Sequence, residues 1–164
     1  MSDTRNYRLV YPDPRTNEIE PSGGYVEVHV THASHEAENN VETAILLAKL
    51  GYQVRLLAVD DRQGNKNPDA YLLKEQILVE FKHNQRPTAS AIDNEIRDAR
   101  RQADYVLIHV KSSIEKNKLI GAIKGRLKRS SSQLIKELWI IWKSELIRLK
   151  RKEIFDGTIS RKIQ

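Results

Sequence analysis

Apolar and polar positions change their period several times along the chain, and each change marks an element. Tyr25 to Val30 (YVEVHV) alternates and reads as an edge strand. From His35 to Leu50 the apolar positions Val41, Ala44, Ile45, Leu47 and Ala48 recur at helical spacing, with Ser34 as the N-cap and Gly51 where a left-handed C-terminal cap sits. Gln53 to Val59 (QVRLLAV) reads as a strand and Asp60 to Lys66 as a polar loop. Asn67 to Lys82, NPDAYLLKEQILVEFK, reads as a turn at Asn67-Pro68 and two short apolar runs that pair as a hairpin across Lys74-Glu75-Gln76. His83 to Ala89 is a loop containing Pro87, and Ser90 to Ala103 is a helix with Ile92, Ile96 and Ala99 on its buried stripe. Tyr105 to Val110 is apolar nearly throughout, as in strands covered by helices on both faces. A helix from Ile114 to Leu127 turns Leu119, Ile120, Ile123 and Leu127 inward and Lys116, Lys124, Arg126, Lys128 and Arg129 outward. Leu138 to Trp142 and Leu146 to Leu149 are two final strands joined at Lys143-Ser144-Glu145.

Residues 1–24 carry Pro12, Pro14, Pro21, Gly23 and Gly24 and little periodicity, so they read as an irregular lead-in. The rest, 25–164, is expected to be a single α/β domain: a mixed central β-sheet flanked by helices, in the order helix, three strands, helix, strand, helix, hairpin, with an edge strand in front. No internal repeat, P-loop or dinucleotide fingerprint interrupts this order.

Composition narrows the function classes. The 164 residues suffice for one domain with a proper core. The absence of cysteine excludes a disulfide framework and a thiolate zinc site. No apolar run approaches ~18 residues, so no membrane partner is expected and the chain reads as soluble. Charge is uneven: residues 111–164 hold 15 Lys/Arg against 5 Asp/Glu, whereas the first 110 hold 13 against 17. A basic C-terminal third beside an acidic site suits a polyanion held by one surface and cut at another, the alternative being a solubilising face.

Period-2 alternation puts Glu80 and Lys82 on one face of their strand, and the hairpin returns Asp69 close to Glu80. Two carboxylates and a lysine then converge. Acidic groups held this close repel and are usually stabilised by a hard divalent cation, with magnesium the default. A lysine beside such an ion can orient a water or stabilise charge on a phosphorane-like transition state. The plain alternative is a surface hairpin on which Asp69 starts a turn and Glu80 and Lys82 form an exposed cross-strand pair. On the first helix, Glu38 lies three residues before Val41 and seven before Ile45, which assigns it to the buried face near the helix start. His29, His32 and His35 raise a zinc reading, which fails for want of the second histidine of an HExxH helix, since Asn39 stands there.

Pro68-Asp69 followed by Glu80-Phe81-Lys82 resembles the PD-(D/E)XK nuclease signature. Together with HEAENNVETAILLAKLGYQVRLLAVDD before it and IRDARRQADYVLIHV after it, the set resembles the C-terminal nuclease domains of contact-dependent growth inhibition and related polymorphic toxins. The resemblance covers about Ser34 to Val110 and, more loosely, extends to Lys150. It implies a restriction-endonuclease-like sheet and a metal-dependent endonuclease. Glu38, Asp69 and Glu80 would hold Mg2+ or Mn2+, and Lys82 would position the attacking water; Glu42 is the alternative to Glu38. It further implies tRNA or DNA as substrate, a cognate immunity protein as partner, and a cytoplasmic site of action after delivery from a secreted or cell-surface parent. His35, Arg97, Arg100, Arg101, Gln102, Lys124 and Arg126 are candidate contacts to the nucleic acid, and Trp139 and Trp142 either stack bases or pack against the last helix. Two other readings stay open: a non-catalytic nucleic-acid-binding domain with a degenerate site, and an interaction module that uses its edge strand.

Overall fold

The structure is a computed structural model that describes residues 6–32, 34–60, 62 and 64–164; the side chain of Ser34, expected as the N-cap, lies outside the described residues. Its strands belong to an eight-stranded mixed sheet in sequence order, which together with its helices bears out the mixed α/β expectation. The chain divides into two compact units, residues 1–79 and 80–164, and the boundary falls inside one strand.

The first unit begins with β1 (Tyr7–Tyr11), which pairs antiparallel with β2 (Tyr25–His29). The lead-in is therefore partly a strand, and β2 is not an edge. No apolar alternation announced β1, because Arg8 and Leu9 are exposed on it. It is held by a polar contact across three strands instead. Arg55 pairs with Glu27 at 3.0 Å and stacks its guanidinium 4.6 Å from the centre of the Tyr7 ring.

From β2 the chain crosses through α1 (Ser34–Lys49) to β3 (Gln53–Leu56), which lies parallel to β2, so the helix is the crossover that a parallel pair requires. Gly51 adopts φ 101°, the expected left-handed cap, and donates its N–H to Ala48 O at 2.9 Å. Gly24 has a different reason to be glycine: a Cβ there would lie 1.8 Å from the Ala48 carbonyl oxygen. Antiparallel β4 (Ala70–Leu72) follows, then β5 (Ile77–Asn84), with Leu72 opposite Ile77 and Ala70 opposite Val79. The connection is the expected one. Gln76 takes φ 58° and returns its N–H to Leu72 O at 2.8 Å.

The second unit takes up β5 at Glu80 and continues with α2 (Ala89–Ala99), whose N-cap Thr88 accepts a bond from the Ala91 N–H. Next come β6 (Tyr105–Val110), α3 (Lys116–Leu127) and a 3₁₀ turn at Ser130–Ser132. The hairpin β7 (Glu137–Trp142) and β8 (Glu145–Lys150) follows, with β7 parallel to β6. Two short helices, α4 (Arg151–Phe155) and α5 (Thr158–Lys162), were not expected from the sequence. They contribute Ile154 and Ile159, and the residue after α5 contributes Ile163, to a core built on Ile92, Ile96, Leu119, Ile123, Leu138 and Ile140. Arg151 also reaches back from α4: its guanidinium donates to the carbonyls of Leu127, Ser132 and Ile135, satisfying the open end of α3. Among the described residues, no helix is long and apolar enough to cross a membrane.

Candidate functional site

In the second unit, Glu80 and Lys82 emerge on the same face of β5, as the alternation predicted, with Lys82 Nζ 3.6 Å from Glu80 Oε2. Glu80 is only 6% exposed, whereas an ornamental cross-strand pair would be wet. The third position on that face is Asn84, fully buried, whose amide donates to both carboxylate oxygens of Glu95 at 3.3 Å and to Arg86 O at 3.0 Å. Its Oδ1 accepts the Ser112 hydroxyl at 2.5 Å. Burial pushes the Glu95 carboxyl up, while the Asn84 amide and the positive charge of Lys82 act to hold it down. Glu95 is thus a second acidic group in the neighbourhood of Lys82. Sequence reading missed it, since its position on α2 beside Ile96 gave no sign that it faces β5.

In the first unit, Asp69 directly precedes β4 and is half-buried. Its carboxylate accepts a bond from Asn40 Nδ2 at 3.3 Å, and its carbonyl accepts the Leu57 N–H at 2.9 Å. Asn40, 1% exposed, also meets His32 Nε2 at 2.9 Å, and His32 Nδ1 meets Leu57 O at 2.7 Å. Sequence reading missed Asn40 and gave His32 no role beyond a discarded zinc set.

Glu38 does not lie on the buried face of α1. Both it and Glu42 are exposed, and the polar residues turned inward are Asn40 and Thr43. The error was one of phase: the residues that pack inward, Thr43, Ala44, Leu47 and Ala48, define a stripe that extends back to Asn40 and leaves Glu38 outside it. His29 Nδ1 lies 2.8 Å from the Thr31 hydroxyl, and His35 is exposed. Among the described residues, no three His, Asp or Glu side chains group as ligands of one ion. The expected three-carboxylate set therefore does not assemble. Asp69 in the first unit and Glu80 in the second are each hard oxygen donors of the type magnesium takes.

The expected nucleic-acid contacts divide. Arg101 is exposed, Arg97 and Lys124 are partly exposed, and Gln102 is half-buried. Arg126 is not on the outer face of α3: it is 4% exposed and ion-paired with Asp93. Trp139 and Trp142 are buried and so are unavailable for base stacking, with Arg148 over the first ring at 4.3 Å and Lys143 over the second at 5.4 Å.

No protein-family model matches the chain, and no curated protein does. Among solved structures, it is similar to a chain of the CdiA-CT/CdiI toxin and immunity complex from Burkholderia pseudomallei. The two share 16% sequence identity with a TM-score of 0.50, over 71% of this chain and 86% of that one. At that identity, the likeness is one of fold.

Proposed function

We propose that this chain is the toxin domain of a contact-dependent growth inhibition protein and that it hydrolyses phosphodiester bonds in tRNA or DNA. The observation that carries the reading is the buried Glu80 with Lys82 at 3.6 Å on one face of β5, in the E-x-K spacing that follows Pro68-Asp69. A buried carboxylate beside a lysine costs desolvation, and a functional role accounts for its presence better than stability does. The fold shared with a chain of a toxin and immunity complex adds support for the toxin half of the proposal and for a cognate immunity protein as partner. The same reading assigns it a cytoplasmic site of action in the target cell after delivery from a cell-surface parent.

In this mechanism Lys82 positions the attacking water and offsets charge on the phosphorane-like transition state, and Glu80 holds the lysine in place. Asp69 and Glu80 are the residues that would hold magnesium or manganese, an ion that takes one or two carboxylates together with waters and substrate phosphate. When bound, it would supply Lewis-acid stabilisation of the scissile phosphate. The exposed cations Arg101, Lys128 and Arg129, with the partly exposed Lys124, would contact the nucleic-acid backbone.

The test is incubation of the purified protein with total tRNA and with plasmid, each with magnesium and with chelator. Cleavage of one substrate that needs the ion, and that Lys82→Ala abolishes while affinity persists, is the expected result. Cleavage by Lys82→Ala at the wild-type rate would put the chemistry elsewhere.

A further inference from the structure

Four residues of the first unit close a ring of hydrogen bonds around the Asp69 carboxylate. Leu57 donates its N–H to Asp69 O at 2.9 Å and presents its own carbonyl to His32 Nδ1 at 2.7 Å. His32 Nε2 meets Asn40 Nδ2 at 2.9 Å, and Asn40 Nδ2 continues to Asp69 Oδ1 at 3.3 Å. Members of the ring come from the turn before α1, from α1 itself, from the end of β3 and from the start of β4.

Chemistry fixes the direction of every bond. A carbonyl oxygen only accepts, so His32 carries a proton on Nδ1; with the Asn40 amide nitrogen facing Nε2 at 2.9 Å, Nε2 is the acceptor of that bond. Asn40 must then offer hydrogens to both neighbours, which its amide nitrogen does with its two N–H groups. Turning the amide over would set its carbonyl oxygen against a lone pair and a carboxylate at once, so the two neighbours determine its orientation jointly. With 1% exposure, Asn40 has no water to substitute for either partner.

We propose that Asn40 and His32 are positioning residues that hold the Asp69 carboxylate in its working orientation, so that α1 contributes an amide relay to the site where the sequence led us to expect a carboxylate. The ring ties the side chain of Asp69 to its own backbone through three other residues, fixing the rotation of the carboxylate group. A relay of this kind can fix the aim of the carboxylate without adding negative charge to the site.

This rests on the nuclease reading only in that Asp69 acts in the reaction, and two measurements separate the two. Nitrogen-15 NMR of the full chain reads the His32 tautomer directly: the relay requires a neutral ring protonated on Nδ1, and a ring protonated on Nε2 overturns it whatever the activity. In cleavage assays on tRNA and plasmid, Asn40→Ala and His32→Leu are expected to lower kcat by roughly 10–100-fold with KM little changed, the usual cost of losing an outer partner of a functional group. His32→Gln can still donate to Leu57 O and accept from Asn40, and should restore kcat to within a few-fold. Equal losses in His32→Gln and His32→Leu, both folded by circular dichroism, would refute the relay. Wild-type cleavage by Asp69→Asn would instead refute the role of Asp69, with the tautomer signal intact.

Discussion

Arg126 of α3 grips Asp93 of α2 through two parallel contacts, Nε to Oδ1 at 2.9 Å and Nη2 to Oδ2 at 2.5 Å. This fork geometry is the strong form of a charge-assisted bond. It turns a cation that helical phase assigns to solvent into part of the packing between two helices.

Removing the guanidinium leaves a carboxylate at a largely buried seam. Arg126→Ala should lower the stability of the protein by about 3 kcal/mol, the lower end for breaking a buried pair because Asp93 keeps partial exposure. The hydrogen bonds from Arg126 hold the Asp93 carboxyl below the usual carboxylate range. A folded-state value depressed in this way stabilises the protein above the unfolded value near pH 4, and the contribution disappears as pH falls through the folded one. Urea unfolding of the wild type and Asp93→Asn across pH 2 to 7 should show curves that are separated at neutral pH and converge in acid. A gap that stays constant to the lowest pH would exclude the ion pair as its source.

Because Arg126 is structural, the test of the basic surface belongs to its neighbours. Neutralising Lys124, Lys128 and Arg129 together should weaken binding to all sequences alike. It should reduce the log–log salt slope by about 0.9 per lost contact on duplex and about 0.7 on single strands. Fluorescence anisotropy between low and moderate salt reads the slope. An unchanged slope would assign these three charges to solubility and shift the substrate face to Arg97 and Arg101.

Gly24 is fixed by space and not by backbone angle. Its missing Cβ would sit 1.8 Å from a main-chain oxygen at the end of α1, and backbone cannot step aside as a flexible side chain can. Gly24→Ala should therefore cost about 3 kcal/mol or more through displacement of the helix from the strand. A thermal melt within a degree of the wild type would show that the helix end yields freely.

The β7–β8 turn is the opposite case. Lys143 and Ser144 have φ of 50° and 68°, and Trp142 pairs directly with Glu145, so this is a two-residue turn with both central residues left-handed. Side chains other than those of glycine and asparagine pay for that conformation. Ser144→Gly should stabilise the protein by roughly 0.5–1 kcal/mol once the extra freedom of glycine in the unfolded chain is deducted. A drop in the denaturation midpoint would contradict this account.

These contrasts explain what could be read in advance. The stripe Ile92, Ile96 and Ala99, the apolar strand at Tyr105 and the closing hairpin all announce themselves through period, because burial of one face imposes it. Strand β1 carries no such mark, since its attachment runs through Arg55 and a tyrosine ring. Helices α4 and α5 span five residues each, too few for a helical period to repeat. Of the site, Glu80 and Lys82 were legible because alternation along one strand depends on no partner. Asn40, His32 and Glu95 were not, because their roles depend on groups elsewhere in the fold, in Asn40's case one that is 29 positions away in the chain. Glu38 and Arg126 failed for the same reason in reverse: a charged residue at a helical position does not reveal which side of the helix has the means to receive it.

Arg151 has a consequence for synthesis and turnover. A chain cut short at Lys150, by interrupted translation or by a trimming protease, keeps every strand yet loses the guanidinium that closes α3 and three isoleucines from the core. Such a fragment would expose apolar surface to the proteases that clear unfolded chains. Residues 151–164 thus act as a seal on the apolar core of the second unit.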